Sequence, residues 1–256
     1  MKNLFLFLAV GILLSNFGMA AESKDARCFE MRVYYAAPGK LDDLHARFRN
    51  HTIRIFDKHG MTSIGYWTPL ENPDNKLIYV LAFPSREARE TAWTEFRADP
   101  EWKKVAAESE ANGKLVTKVE STFLQATDFS PEVKPSKGTA PRVFELRTYT
   151  ATPGNLNILL KRFRDHTLTL FTKHGMTNLC YWTLMPGQPG TDNTLVYMLA
   201  HASKEAGEES FKTFRADPDW VAAKDASEKE GGGSLTVVPD GVKSVYMQAT
   251  DYSPTK

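Results

Sequence analysis

Histidine stands at matched places in two stretches of this 256-residue chain, His51 and His59 in one, His166 and His174 in the other. Imidazole is the side chain that ordinarily titrates near neutrality, so His51 and His166 are candidate general acids or bases, or axial ligands to a haem iron. A second set alternates along two short segments: Glu30, Arg32 and Tyr34, then Glu145, Arg147 and Tyr149. Every second residue of a strand points to one face, so each trio forms a row of carboxylate, guanidinium and phenol. Charges placed in an interior must be paired or must meet a ligand, which makes these six the candidate ligand-binding residues. The plainer readings are a core histidine bonded to backbone and a cross-strand ion pair at a wet sheet surface. His59 and His174, at helix ends, suit the dipole and the capping carbonyls. Within either stretch the two imidazoles lie about 12 Å apart along a helix, too far to chelate one metal.

The histidines sit in a repeat. Phe48-Arg-Asn-His-Thr-Ile-Arg-Ile-Phe-Asp-Lys-His-Gly-Met61 returns as Phe163-Arg-Asp-His-Thr-Leu-Thr-Leu-Phe-Thr-Lys-His-Gly-Met176, with nine of fourteen positions identical at an offset of 115. The chain is a tandem duplication. In each copy an alternating aromatic and branched run, Phe29–Tyr35 or Phe144–Thr150, reads as a strand. A Pro-Gly turn and a helix follow. The helix stripe reads Leu41, Leu44, Phe48, His51, Ile55, His59, and its copy Leu156, Leu159, Phe163, His166, Leu170, His174, so both candidate histidines are expected against the sheet. Gly60 and Gly175 are natural left-handed caps. Two further strands should form a hairpin, the second of them, Leu77–Phe83, apolar on both faces. Ser85 and Ser203 cap the next helix, which Asp99-Pro100 and Asp217-Pro218 restart. A last strand closes each unit.

Each copy is therefore β-α-β-β-α-β, a four-stranded antiparallel sheet with helices on one face. The expected division is 28–129 and 142–253, joined by a Pro-rich linker at 130–141. Two open sheet faces in one chain are expected to pack together as a closed or nearly closed barrel. Phe29, Met31 and Val33 should then meet the helices, leaving the Glu-Arg-Tyr rows to solvent or to a shared hollow. The density of Trp67, Trp182, Tyr66, Tyr181, Tyr79 and Tyr197 suits core packing or a flat apolar ligand.

Residues 1–20 combine Lys2, an apolar run from Leu4 to Leu14 and a Gly-Met-Ala end, the pattern of a cleavable signal peptide. The run is short for a membrane span. A periplasmic or secreted protein without stable membrane insertion is expected. Without those residues, 31 basic and 31 acidic side chains balance, and no basic block argues for nucleic acid. Cys28 and Cys180 stand at unlike places in the two copies; two buried free thiols are the simpler reading, although an exported setting permits a bridge. There is no phosphate loop, dinucleotide fingerprint, serine elbow or His-Glu-x-x-His.

Phe144-Glu-Leu-Arg-Thr-Tyr with Pro153-Gly154, then Arg162-Phe163, His166-Thr167, Lys173-His-Gly-Met176 and Tyr181-Trp182, resembles the NIPSNAP family, as does Arg97-Ala-Asp-Pro-Glu-Trp102 with its copy. The resemblance spans both copies. It implies an α+β fold, with two ferredoxin-like βαββαβ units packed as a pseudo-dimeric barrel, in a superfamily that includes haem-binding enzymes and cofactor-free oxygenases. It carries no agreed catalytic residues. The first reading is an exported protein that binds a small molecule between its sheets. The second is a monooxygenase-like or haem-linked enzyme built on His51 or His166, and the third a protein-interaction module. No cofactor is required by the first reading, haem is the one left open by the second, and a homo-oligomer is compatible with all three.

Overall fold

A computed structural model describes residues 25–256. The expected signal peptide at 1–20 lies outside the described residues. The first unit runs β1 (Cys28–Ala36), α1 (Leu41–Arg47), a π-helical turn (Phe48–Thr52), α2 (Ile53–Lys58), β2 (Thr62–Pro69), β3 (Lys76–Phe83), α3 (Arg86–Ala98), α4 (Pro100–Ser109) and β4 (Val116–Ala126). The second repeats the order as β5 (Val143–Thr150), α5 (Leu156–Arg162), a π turn (Phe163–Thr167), α6 (Leu168–Lys173), β6 (Thr177–Leu184), β7 (Thr194–His201), α7 (Lys204–Ala216), α8 (Pro218–Glu230) and β8 (Val242–Ala249). Gly60 and Gly175 take the left-handed φ of +68° and +79° that ends α2 and α6. Ser85 and Ser203 accept from the amides of Ala88 and Ala206, and Asp99 and Asp217 from those of Glu101 and Asp219.

The eight strands close into one antiparallel barrel in the order β1-β3-β2-β8-β5-β7-β6-β4. Within each unit the pairings run most of the strand length. The units meet over short stretches, Trp67–Pro69 against Met247–Ala249 and Leu124–Ala126 against Trp182–Leu184. The repeated tail after each last strand tightens these seams. Thr250 N donates to Tyr66 O and Tyr66 N to Ser253 Oγ; reciprocally, Thr127 N donates to Tyr181 O and Tyr181 N to Ser130 Oγ. Arg49 forks onto Asp251 at 2.5 and 2.7 Å, and Arg164 onto Asp128 at 2.7 and 2.6 Å. The Asp-aromatic-Ser-Pro repeat is thus a pair of clasps, each unit holding the other. The segment between the units is also docked: Val133 is buried in the barrel core, and Ser136 and Gly138 bond to the C-terminal residues.

The strand faces are oriented opposite to expectation. Phe29, Ile78, Val80, Phe144, Leu146, Val196 and Met198 point into the barrel with Trp67 and Trp182, and Met31 and Val33 pack against them. Glu30, Arg32, Tyr34, Glu145, Arg147 and Tyr149 lie on the helix side. The physical reason is that both faces are covered. The barrel interior receives no donors from outside and takes the row that needs none. The helix layer brings polar partners to the other row. Cys28 belongs to the core under the helices and Cys180 to the barrel core, so the two thiols are free and buried. Among the described residues no helix is long and apolar enough to cross a membrane.

Candidate functional site

Glu30 is fully buried, and its carboxylate is saturated. It accepts from Arg32 Nη1 at 2.6 Å, Arg89 Nη2 and Nε at 2.6 and 2.9 Å, Trp93 Nε1 at 2.8 Å and Ser121 Oγ at 2.6 Å. Burial alone would raise its pKa, but the Arg89 hydrogen bonds and the Arg32 charge outweigh burial and hold it at about 2. Glu145 is held differently, by His201 Nε2 at 2.9 Å, Ser244 Oγ and Arg147. The copies compensate one another position by position. Where α3 carries Arg89, α7 carries Gly207, and where β3 ends in Phe83, β7 ends in His201. A Cβ on Gly207 would come within 3.0 Å of both His201 Cγ and the Tyr246 hydroxyl, so the glycine makes room for the replacement imidazole. These rows are internal ion-pair networks beneath helices. Inside them Arg32 Nε, Arg147 Nε and the hydroxyls of Tyr79 and Tyr197 are buried without hydrogen-bond partners.

His51 and His166 are exposed, not packed on the sheet. The π turn explains the difference. One extra residue per turn advances the helix face by about 100°, rotating the histidine outward and the following threonine inward. Thr52 and Thr167 are buried, and their hydroxyls bond the carbonyls of Arg47 and Arg162 at 3.2 and 3.1 Å. Each histidine now borders an outer groove. The one at His51 has a volume of about 370 Å³ and is walled by Lys40, Asp43, Arg47, Asn50 and Glu108. The one at His166 combines a pocket of about 110 Å³ beside Arg162 with a groove of about 500 Å³ along Leu170, Ala222, Ala223 and Ala226. The polar wall at His51 does not fit a haem face. At His166 the apolar residues line one side of an open groove, which does not fit a macrocycle sandwiched on both faces. Among the described residues no group of three His, Cys, Asp or Glu side chains could hold a metal ion. His59 and His174 bond the capping Asp99 and Asp217 at 2.8 and 2.7 Å. With Lys58 and Lys173, they hold those carboxyls well below the usual range.

A third cavity, of about 560 Å³, opens at one seam between the units. Leu41, Asp42 and His45 of α1 and Arg49 of the π turn face Thr68 of β2 and the end of β8 with Asp251. At its edge His45 Nδ1 lies 2.7 Å from the hydroxyl of Tyr252, a residue of the other unit's tail. Burial lowers the His45 pKa and raises that of Tyr252, so neutral imidazole meets protonated phenol. The bond joins two neutral groups, each able to donate or accept, and its direction follows the imidazole tautomer. The other copy has Leu160 and Phe129 at these positions. Only by comparing the copies for their departures, rather than their identities, could the sequence have singled out His45 or Tyr252.

An eight-stranded antiparallel barrel wrapped by helices, with a polar cleft at one seam between its halves, defines an α+β barrel class. Within it, the chain belongs to the NIPSNAP family, whose profile matches residues 29–131 and again 144–232. No curated protein matches the chain. Among solved structures, an anthrone oxidase-like protein is similar over 91% of this chain and 95% of its own, with a TM-score of 0.57 and 12% identity. A protein provisionally assigned as a monooxygenase, from Lactobacillus acidophilus, covers 88% of this chain and 94% of its own, with a TM-score of 0.54 and 13% identity. A NIPSNAP-like domain protein from Burkholderia xenovorans aligns at 22% identity over 43% of this chain and 94% of its own, with a TM-score of 0.39. At these identities the likeness shows the fold alone.

Proposed function

We propose that this chain is an exported small-molecule-binding protein made of two ferredoxin-like halves packed as a pseudo-dimer. Its ligand enters the seam cleft at His45 and Tyr252. The packing of the barrel interior by Trp67, Trp182, Phe29 and Phe144 argues against a ligand between the sheets, where the sequence first suggested it. The carrying observation is the His45–Tyr252 pair: a half-buried polar couple, contributed by both units, present at one seam only and bordering a cleft of ligand size. Asp42, Arg49 and Asp251 supply further polar contacts. The export part rests on the Lys2-to-Ala20 pattern, and cell fractionation tests it separately.

The double variant His45→Leu, Tyr252→Phe installs the residues of the other copy and should fold normally. Native mass spectrometry of the gently purified protein is expected to show a co-purified small molecule that the double variant loses. Retention of that molecule by the variant, or an empty parent protein, overturns the site. A second reading, monooxygenase-like chemistry at the same cleft, draws on the two whole-chain fold neighbours. In it, His45 donates Nδ1–H to the Tyr252 oxygen, and its unprotonated Nε2 accepts a substrate proton. Oxygen uptake with anthrone, abolished in the double variant, would support it.

A further inference from the structure

The two units treat one buried arginine differently. Arg47 and Arg162 each end the helix segment before the π turn, and each is only 6% exposed. Arg47 is paired: its Nη1 lies 3.1 Å from Glu110 Oε1 and 3.4 Å from Ser109 Oγ. Arg162 keeps the serine, with Nη1 donating to Ser227 Oγ at 3.3 Å, but no carboxylate among the described residues lies within ion-pair distance of it. Its Nε is buried without a partner, and Trp220 covers one side of the guanidinium at 5.0 Å. The cause is one substitution on α8. Glu228, the counterpart of Glu110, is drawn 2.7 Å from Lys224, which stands where the first unit has Ala106.

A guanidinium stays charged in a protein, and a buried charge without a counter-ion is costly. Here the missing counter-ion has a place to sit. Arg162 lines the pocket of about 110 Å³ with Lys161, His166, Ser227 and Glu230. That pocket shares Asp165, His166, Ala223 and Ala226 with the neighbouring groove, in which Leu170 and Ala222 extend the apolar lining beside Thr169 and Asp219. Asp165 and Glu230 border the pocket and oppose a dianion, and Glu230 is itself 3.5 Å from Lys161. A singly charged head with an apolar body satisfies both compartments. We infer that the groove between α5, its π turn and α8 binds a monocarboxylate with an apolar tail, its head forked on Arg162 and its tail along the alanines of α8. An arginine–carboxylate fork is the strong, directional form of such a contact. This site is separate from the seam cleft, and neither reading depends on the other.

Octanoate serves as the probe, with octanol and inorganic phosphate as controls, in isothermal titration calorimetry on the intact protein. One octanoate per chain is expected, with octanol and phosphate giving no saturable heat. Arg162→Gln should weaken octanoate at least tenfold. Lys224→Ala, a change at a half-buried position that recreates the first unit's arrangement and frees Glu228 to pair with Arg162, should weaken it similarly while leaving thermal stability intact. Octanoate binding untouched by Lys224→Ala, octanol binding as well as octanoate, phosphate binding in its place, or no binding at all would each overturn the assignment. His45→Leu should have no effect on it.

Discussion

At the scale of single residues, the energetics concentrate on buried carboxylates whose partners come from distant elements. Glu30 shows how this works. Burial pushes its carboxyl up, but Arg89, Arg32 and Ser121 converge on the charged form and bring it from an ordinary 4.5 to about 2. A carboxyl lowered on folding stabilises the protein above its unfolded value, and that stability is lost as pH falls through the folded one. Glu30 therefore contributes on the order of 3 kcal/mol near neutrality, disappearing between pH 4.5 and about 2. Urea unfolding of the parent and Glu30→Gln across this window should show the stability gap at pH 6 shrinking toward pH 2.5. A gap independent of pH would mean that packing, not charge, is what Glu30 supplies. The same scale shows why the site was only partly legible. Glu30 and Arg32 were recognisable as a row needing partners, but Arg89 lies 59 positions from Glu30 and nothing local links them.

At the scale of elements, the π turns decide which residues a helix shows to solvent. A regular helix over 41–59 would place His51 on the buried stripe; the inserted residue places Thr52 there instead. The threonine hydroxyl bonds the Arg47 carbonyl, and five-residue spacing is what a π turn requires. Thr52→Val keeps the shape and removes that bond, leaving a carbonyl less satisfied. The expected cost is about 1 kcal/mol in chemical denaturation. If stability is unchanged, the turn is maintained by packing of Phe48, Ile55 and Phe56 alone. The turn also brings Arg47 and Arg162 beneath the outer grooves, so the histidines that first drew attention are rims of grooves whose floors are arginine.

At the scale of the whole molecule, the barrel is closed by short pairings and two reciprocal clasps. The contributions at the clasp should differ sharply. The Arg49–Asp251 pair is exposed and screened by solvent, so Arg49→Ala should leave stability nearly unchanged. Truncation after Ala249 removes the Thr250 and Ser253 bonds to Tyr66 and uncovers the fully buried Tyr66 ring beside Tyr252. That should lower the thermal midpoint by about 4–8 °C or more, since about 2 kcal/mol or more of burial and hydrogen bonding goes with it. Differential scanning calorimetry of the two variants compares them directly; equal effects would show that the tail is not what holds the seam.

Duplication, element order, capping and barrel closure were all readable in the amino-acid sequence, because periodicity, turn residues and an internal repeat are local signals. The assignment to a family was equally legible in the spaced motifs of both copies. The tertiary structure alone decided which face of β1 and β5 looks inward. Alternation records that two faces differ, but both are buried here, and only the arrival of Arg89 or His201 from another element makes the polar face the one under the helices. It also decided that His45 meets Tyr252, 207 positions away, and that Arg162 lacks the partner Arg47 has. Pairing between distant side chains depends on three-dimensional closure, and no period along the chain encodes it.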